Sequence, residues 1–359
     1  MSPIAERTAR CQRVALASAS GASLLLVALI YFGSGELSRF DPPLAAYAAA
    51  TVFAAFGIGY RYAMWLQRPT TWRYFKASWK LFLRPARLAR NAVRLVVLFW
   101  EDIVIQKFIE RRSMRRWLAH MGIAWGCILA FLITLPLSWG WIQFLPAANG
   151  TDYAVVFMGF GVLTFAPNGL LGWLFFNWLN ISAVLVLMGV ALAMHRRLFD
   201  RGAQAVQNLD ADVIPLFLLF AVAVTGLMLT ASERLMAGTH FSFLSLLHAF
   251  TVVLLLLFLP FGKLFHVLQR PAQIGVAFYK EEGMRGPQAF CLRSGVAYQS
   301  KLHHDDLVST MKELGMDFGA HQDLAPPEKI RLFALSQLAL LDEDGFVGST
   351  PDLKWLTSP

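Results

Sequence analysis

The sequence predicts an all-α protein, a membrane helix bundle of about six spans with a small C-terminal region outside the membrane. Of its 359 residues, 57% are hydrophobic and only 15% are charged, a balance typical of polytopic membrane proteins. Apolar stretches of about 20 residues, the length that crosses a hydrocarbon core as a helix, recur along the chain. Lysine and arginine crowd at their ends, as the positive-inside rule predicts. The net charge of +9 therefore gives no indication of nucleic-acid binding.

The N-terminal region, residues 1–65, is predicted to hold two spans. Residues 1–13 form a short basic tail, and apolar stretches follow at about 14–33 and 44–65. A cleaved signal peptide is disfavoured, because no small-x-small site follows the first stretch. With six spans, both termini are expected in the cytoplasm of a bacterium, with the bundle in its inner membrane.

The next region, residues 66–116, is strongly basic. The density of lysine and arginine places it in the cytoplasm, and Trp72, Phe75 and Trp79 are interleaved with the charges. Over residues 90–110, apolar and charged residues are mixed at the spacing of a helix. This pattern predicts one or two amphipathic helices on the membrane surface. The alternative is a docking surface for an acidic partner.

Residues 117–270 are predicted to form a core of four spans. The spans lie at about 117–141, 172–194, 212–232 and 244–267. Between the first two, the apolar run Tyr153–Phe165 is too short to cross a bilayer, so we expect a re-entrant or interfacial segment. Residues 271–359 regain charge and are predicted to be a soluble cytoplasmic tail.

Three histidines stand out in this core. His248 and His266 are eighteen residues apart in the last apolar stretch, about five helical turns, which predicts one helix face with a histidine near each membrane surface. Span directions place His120 at the same, cytoplasmic depth as His266. Ionisable residues inside spans are usually functional. The alternative is interfacial histidines that snorkel.

Neutral imidazole is a good axial ligand for haem iron. A b-type haem between two membrane helices takes one histidine from each, and the depths favour His120 and His266. Arg115, Arg116 and Arg270, together with Lys263, lie at the right depth to pair with the propionates. The three cysteines are far apart in sequence, so neither a zinc site nor a cysteine-ligated iron–sulfur cluster is expected.

These residues carry a family resemblance. The stretch 117–270 resembles the gamma subunit of respiratory nitrate reductase and the related membrane cytochromes b of heterodisulfide-reductase-like and sulfite-reduction complexes. The matching features are the histidine pair eighteen apart and the motif Arg115-Arg116-Trp117-Leu118-Ala119-His120. The resemblance implies that His120 and His266 ligate a cytoplasmic-side haem b.

For His248, the resemblance implies a second, outer-side haem. The family's other ligand for that haem lies ten residues after the first histidine, where this chain has Ala130. His240 and Met228 are weak substitutes. The sequence therefore predicts one haem and leaves the second open.

The resemblance further implies electron transfer between membrane quinones and a cytoplasmic iron–sulfur subunit with a molybdenum or flavin catalytic subunit. The basic region and the tail would form the dock, and membrane lipids would surround the spans. Quinone-site candidates at the outer side are Asn168, Asn177, Glu233 and His240. Two alternatives stay open: a transporter without redox chemistry, for which Pro260 would supply a broken span, and an anchor or assembly subunit.

Overall fold

The computed structural model describes residues 3–316 and 319–343. Within them the chain forms mainly helices, interrupted by short strands. The helices in chain order are α1 (Pro3–Gly33), α2 (Ala45–Leu66), α3 (Pro69–Phe82), α4 (Leu88–Phe99), α5 (Lys107–Glu110), α6 (Met114–Ser138), α7 (Leu170–Phe199), α8 (Arg201–Ala205), α9 (Ile214–Leu235), α10 (Phe241–Phe258), α11 (His266–Gln273), α12 (Val276–Arg285), α13 (Lys301–Glu313) and α14 (Pro326–Glu343).

Six helical segments among the described residues are long and apolar enough to cross a membrane. They contain α1, α2, α6, α7, α9 and α10. The all-α class and the multi-pass membrane character predicted from the sequence are thereby confirmed. The one or two amphipathic helices predicted over residues 90–110 correspond to α4, a π-helical turn at Trp100–Val104 and the short α5. The helix α3, earlier in the basic region, had not been predicted.

The connection between α6 and α7 differs from the prediction. It folds as a three-stranded antiparallel sheet in the order β1 (Ile142–Pro146), β2 (Tyr153–Phe157) and β3 (Phe160–Phe165). The run predicted to be one re-entrant or interfacial segment is instead a hairpin. Its two-residue turn, Met158-Gly159, has positive φ at both positions, the conformation that suits a tight hairpin.

The last span is shorter than predicted. Its helix α10 ends at Phe258 and is followed by a turn and a 3-10 segment, Lys263–Phe265, before α11 begins at His266. Pro260 lacks the N–H that would continue the hydrogen-bond ladder, which explains the break. His248 and His266 therefore lie on two helices, so the prediction that one continuous helix carries both on one face is wrong.

Close backbone contact joins α6 to α7. Ser182 Oγ donates a hydrogen bond to the carbonyl of Gly126 at 2.6 Å. A Cβ on Gly189 would stand 2.6 Å from the carbonyl oxygen of Ala119, so only glycine fits there. Small residues that let helix backbones approach are the usual means of packing membrane helices. This contact fixes the first turns of α6, which include His120.

Two compact units divide the chain. The first comprises residues 1–65 and 96–272, and the second comprises residues 66–95 and 273–359, with the boundary inside α4. The second unit therefore combines the first part of the basic region with the C-terminal tail. Within it, Tyr279 donates a hydrogen bond to Asp306 at 2.6 Å, and Tyr74 is hydrogen-bonded to His303 at 2.7 Å. These bonds link α3, α12 and α13.

Candidate functional site

The start of α6 is anchored by its own sequence. Ser113 caps the helix by accepting a hydrogen bond from the backbone N–H of Arg116, as serine at an N-cap commonly does. The indole of Trp117 donates to the carbonyl of Ile105 at 2.7 Å. His120 follows one turn later. The backbone that carries its imidazole is therefore fixed by the Ser113 cap and by the hydrogen bond of Trp117.

The break after α10 is held from another span. Arg61 of α2 donates hydrogen bonds to the carbonyls of Pro260 at 2.6 Å and Gly262 at 2.9 Å, groups that the end of a helix leaves without partners. The same guanidinium lies 4.5 Å from the ring centre of Phe265, which is 2% exposed. Arg61 thus fixes the turn that places His266. An arginine inside an otherwise apolar span was the signal in the sequence, and it was missed.

His120 and His266 meet as predicted. Their ring centres are 6.1 Å apart and the rings are inclined by 66°. Two imidazoles that ligate one metal ion from opposite sides, each nitrogen about 2 Å from the ion, bring their ring centres to roughly 6 Å. The separation therefore matches that of an axial pair.

The hydrogen bonding of the two rings also suits a ligand pair. His266 Nδ1 donates to the carbonyl of Lys263 at 2.5 Å. Because a carbonyl only accepts, this bond leaves Nε2 with its lone pair free, the arrangement typical of metal-bound histidine. His120 Nδ1 is buried without a hydrogen-bond partner among the described residues. A buried polar atom without a partner is uncommon and points to a missing ligand or water.

A cavity of about 1090 Å³ opens beside the two rings. Leu192, Leu216 and Leu219 are among its apolar wall residues. Its basic residues outnumber its acidic ones by six to two; the basic residues are Arg112, Arg115, Arg116, Arg196, Arg197 and Lys263, and the acidic residues are Asp200 and Asp212. An apolar slot with a basic rim fits a flat apolar molecule that carries carboxylates, as a haem does.

Only part of the predicted basic set lies at the cavity. Arg115 and Arg116 line it, and so does Lys263. Arg270 is not among the lining residues; its guanidinium instead lies 4.7 Å from the ring centre of Phe108. The pairing of Arg270 with a haem propionate therefore stays a prediction.

Some cavity residues had no predicted role. His195 lines the same cavity and packs on Phe199 with ring centres 4.8 Å apart. Asp212 pairs with Lys263 at 2.7 Å and with Arg197 at 3.5 Å. Asp212 therefore braces the residue whose carbonyl holds His266. An acidic residue just before an apolar span gives no sign of this in the sequence.

His248 lies in different surroundings. Its Nδ1 is hydrogen-bonded to Thr225 Oγ1 of α9 at 2.9 Å, and Thr225 also contacts Thr251 Oγ1 at 3.2 Å. A Cβ on Gly226 would lie 3.3 Å from the His248 ring, so α9 occupies that side of the imidazole. Met228 is 42% exposed, and His240 is an exposed residue at the start of α10. The structure shows neither substitute ligand bonded to His248.

The quinone-site candidates occupy cap and surface positions. Asn168 and Glu233 are exposed, and Asn177 Nδ2 donates to the carbonyl of Trp173 within α7 at 2.8 Å. Across the described residues there is no group of three or more His, Cys, Asp or Glu side chains arranged for a metal ion. A haem needs only the axial pair, since the porphyrin supplies the other ligands.

Comparison of the chain with protein-family models, curated proteins and solved structures finds no match to any of them.

Proposed function

We propose that this chain is a membrane cytochrome b subunit, with one haem b between His120 and His266. It would pass electrons between the quinone pool and an iron–sulfur protein on the cytoplasmic side, joined to a molybdenum- or flavin-containing catalytic subunit. One observation carries the proposal: the ring centres of the two imidazoles lie 6.1 Å apart beside a cavity lined by leucines and basic residues.

A bound haem b would supply a one-electron carrier whose potential depends on its ligands and on burial. The chain's own contribution begins with orientation. The carbonyl of Lys263 holds the His266 ring in one tautomer, and Asp212 holds Lys263 through its ammonium. The orientation of the proposed ligand nitrogen thus depends on two successive contacts, from His266 to Lys263 and from Lys263 to Asp212. Contacts beyond the ligands themselves commonly tune a metal site.

The remaining cavity residues have two roles. Leucine side chains of α7 and α9 line the slot. Around a bound haem they would keep water away from the ring, and this would strengthen the charge interactions there. Arg112, Arg115 and Arg116 form no ion pair among the described residues. They are therefore free to pair with the two propionates, in the bidentate geometry that guanidinium and carboxylate favour.

The transporter alternative rests on the helix break at Pro260. Broken membrane helices often bind ions or substrates through their unpaired backbone carbonyls. Here Arg61 already bonds to the carbonyls of Pro260 and Gly262. The break therefore offers fewer free ligands than a transport site needs, and we favour the cytochrome.

The test is optical. The full-length protein, purified in neutral detergent from haem-replete cells, is reduced with dithionite and its visible spectrum is recorded. We expect b-type bands in the wild type and in His240→Ala, an exposed-loop control, and their loss in His266→Ala. A colourless wild type would overturn the proposal.

A second measurement addresses the quinone. Membranes that contain the protein are mixed with a reduced quinol, and the b-type bands are followed in time. Reduction of the bands supports exchange with the quinone pool. A haem that dithionite reduces and quinol does not would retain the cytochrome and remove the quinone assignment.

A further inference from the structure

Helix α4 has an exposed apolar face. Leu88, Val93, Val96 and Val97 are all exposed, Val93 at 67% and Val96 at 68%. At 100° per residue these four positions fall within one half of the helical wheel. On the other side of the helix, Leu98 is 5% exposed. α4 therefore buries one side and presents a large apolar side that nothing in the described structure covers.

A row of arginines borders that face. Arg90 and Arg94 lie one turn apart on α4, and Arg87 comes immediately before the helix, at the spacing i, i+3, i+7. They line a pocket of about 310 Å³ within the second unit, here named the arginine pocket. Its other charged residues are Arg84, Arg285, Glu281 and Glu282.

The arginine pocket carries an excess of positive charge. Five arginines surround two glutamates, which gives a formal charge of +3. Glu282 bridges Arg84 at 2.5 Å and Arg87 at 3.2 Å, and Glu281 pairs with Arg94 at 3.0 Å. Arg90 forms no ion pair among the described residues, so the pocket keeps unsatisfied capacity for an anion.

The pocket is built on a fixed corner. Asn91, only 9% exposed, donates two hydrogen bonds of 3.0 Å to the carbonyls of Leu81 and Phe82 at the end of α3. These carbonyls would otherwise lack partners at the helix end. The bonds hold α4 against α3 at the start of the arginine row. The arginines therefore extend from a braced backbone.

We propose that the arginine pocket binds the phosphate group of an anionic phospholipid, with α4 lying in the membrane interface. The acyl chains would lie along the exposed side chains of Leu88 and Val93, which belong to the same unit as the pocket, and the guanidinium groups would hold the phosphate. An amphipathic helix with a wide apolar face and basic edge residues is typical of interfacial helices. Basic pockets beside membrane helices are typical of anionic headgroup sites. The six spans place lipid within reach of the chain, and no step requires a haem.

The test uses the full-length protein, delipidated in neutral detergent. It is titrated with dioleoylphosphatidylglycerol or dioleoylphosphatidylcholine, and bound lipids are counted by native mass spectrometry. We expect one tighter site for the anionic lipid. Arg87→Gln/Arg90→Gln should weaken that site, roughly fivefold for each arginine removed. Arg201→Gln, which removes one positive charge from an exposed position outside the pocket, should leave it unchanged.

Two further arms separate the sources of phosphate and the role of the apolar face. Inorganic phosphate at the same concentration should not displace the lipid, whereas Val93→Asn should weaken lipid binding and leave the melting temperature unchanged. Equal binding of both lipids, or unchanged binding in the double arginine variant, would overturn the proposal. Displacement by inorganic phosphate would also overturn it, in favour of a soluble anion.

Discussion

His266 and His248 lie in the same predicted stretch of sequence, yet their surroundings differ. His266 is paired with another imidazole beside a large cavity, with its Nδ1 bonded to a backbone carbonyl. His248 is bonded to Thr225 of the adjacent helix, and the backbone near Gly226 closes that side of its ring. A histidine inside a span is therefore not by itself a ligand. The second imidazole and the space beside it make the difference.

The largest effect should come from removing either member of the pair. His120→Ala removes one of the two proposed haem ligands, so we expect haem content to fall to background. His248→Ala should keep nearly all of it. Haem is measured as the pyridine haemochrome per mole of purified protein. Equal loss in both variants would erase the distinction between the two sites.

A packing change should be next in size. Gly189→Leu places a side chain against the backbone of Ala119 and Ile123, and such overpacking costs about 1–3 kcal/mol. Because this contact positions the start of α6, loss of structure should begin at the His120 end. Thermal unfolding in detergent measures the loss of stability. Gly21→Leu, where an added Cβ meets nothing within 4 Å, is the control and should unfold like the wild type.

A smaller change is expected from Asp212→Asn. The variant weakens the contact that braces Lys263, so the His266 ring gains freedom while both imidazoles remain. We expect haem to be retained with an altered low-spin electron paramagnetic resonance signal and a shifted reduction potential. Asp210→Asn, an exposed acid that is not among the residues lining the cavity, serves as the charge-matched control. Identical signals in both variants would mean that Asp212 does not position the ligand.

At the His248 end, Thr225→Val should have only a local effect. It removes the hydroxyl that bonds to the imidazole and to Thr251, and we expect a loss of about 1 kcal/mol in stability. The visible spectrum should be unchanged. A spectral change would show that His248 influences a bound cofactor. The contrast drawn between His248 and His266 would then be wrong.

The smallest effect should lie in the second unit, away from both histidines. The Arg84 guanidinium holds the pKa of Glu282 below its ordinary value of 4.5. Since the folded pKa is the lower one, the stabilisation is present above pH 4.5 and is lost as pH falls through the lowered folded value. Glu282 is 30% exposed, so the contribution is at most about 1 kcal/mol.

Hydrogen exchange of α12, corrected for its intrinsic pH dependence, measures this effect between pH 6 and pH 3. The wild type should lose protection in that window. Glu282→Gln should show little change across it.

Much of the architecture was predictable from the sequence. Six apolar segments and the shared depth of His120 and His266 follow from local composition and from charge at the segment ends, because each span buries its side chains within a window of about 20 residues. The basic amphipathic helices follow from periodicity in the same way. The proposed ligand pair was therefore within reach of sequence reasoning.

Other features depended on residues far apart in the chain. The end of α10 is held by Arg61, nearly two hundred residues earlier. The bond that occupies His248 comes from Thr225, and Asp212 braces the loop before His266. The sheet between α6 and α7 packs with ring centres of Phe165 and Phe175 5.0 Å apart. A local pattern specifies which segments are helical and apolar. Only the packed structure decides where a helix breaks and which hydrogen-bond partner each buried polar group finds. The two partners of such a bond are far apart in sequence and come together only when the chain folds.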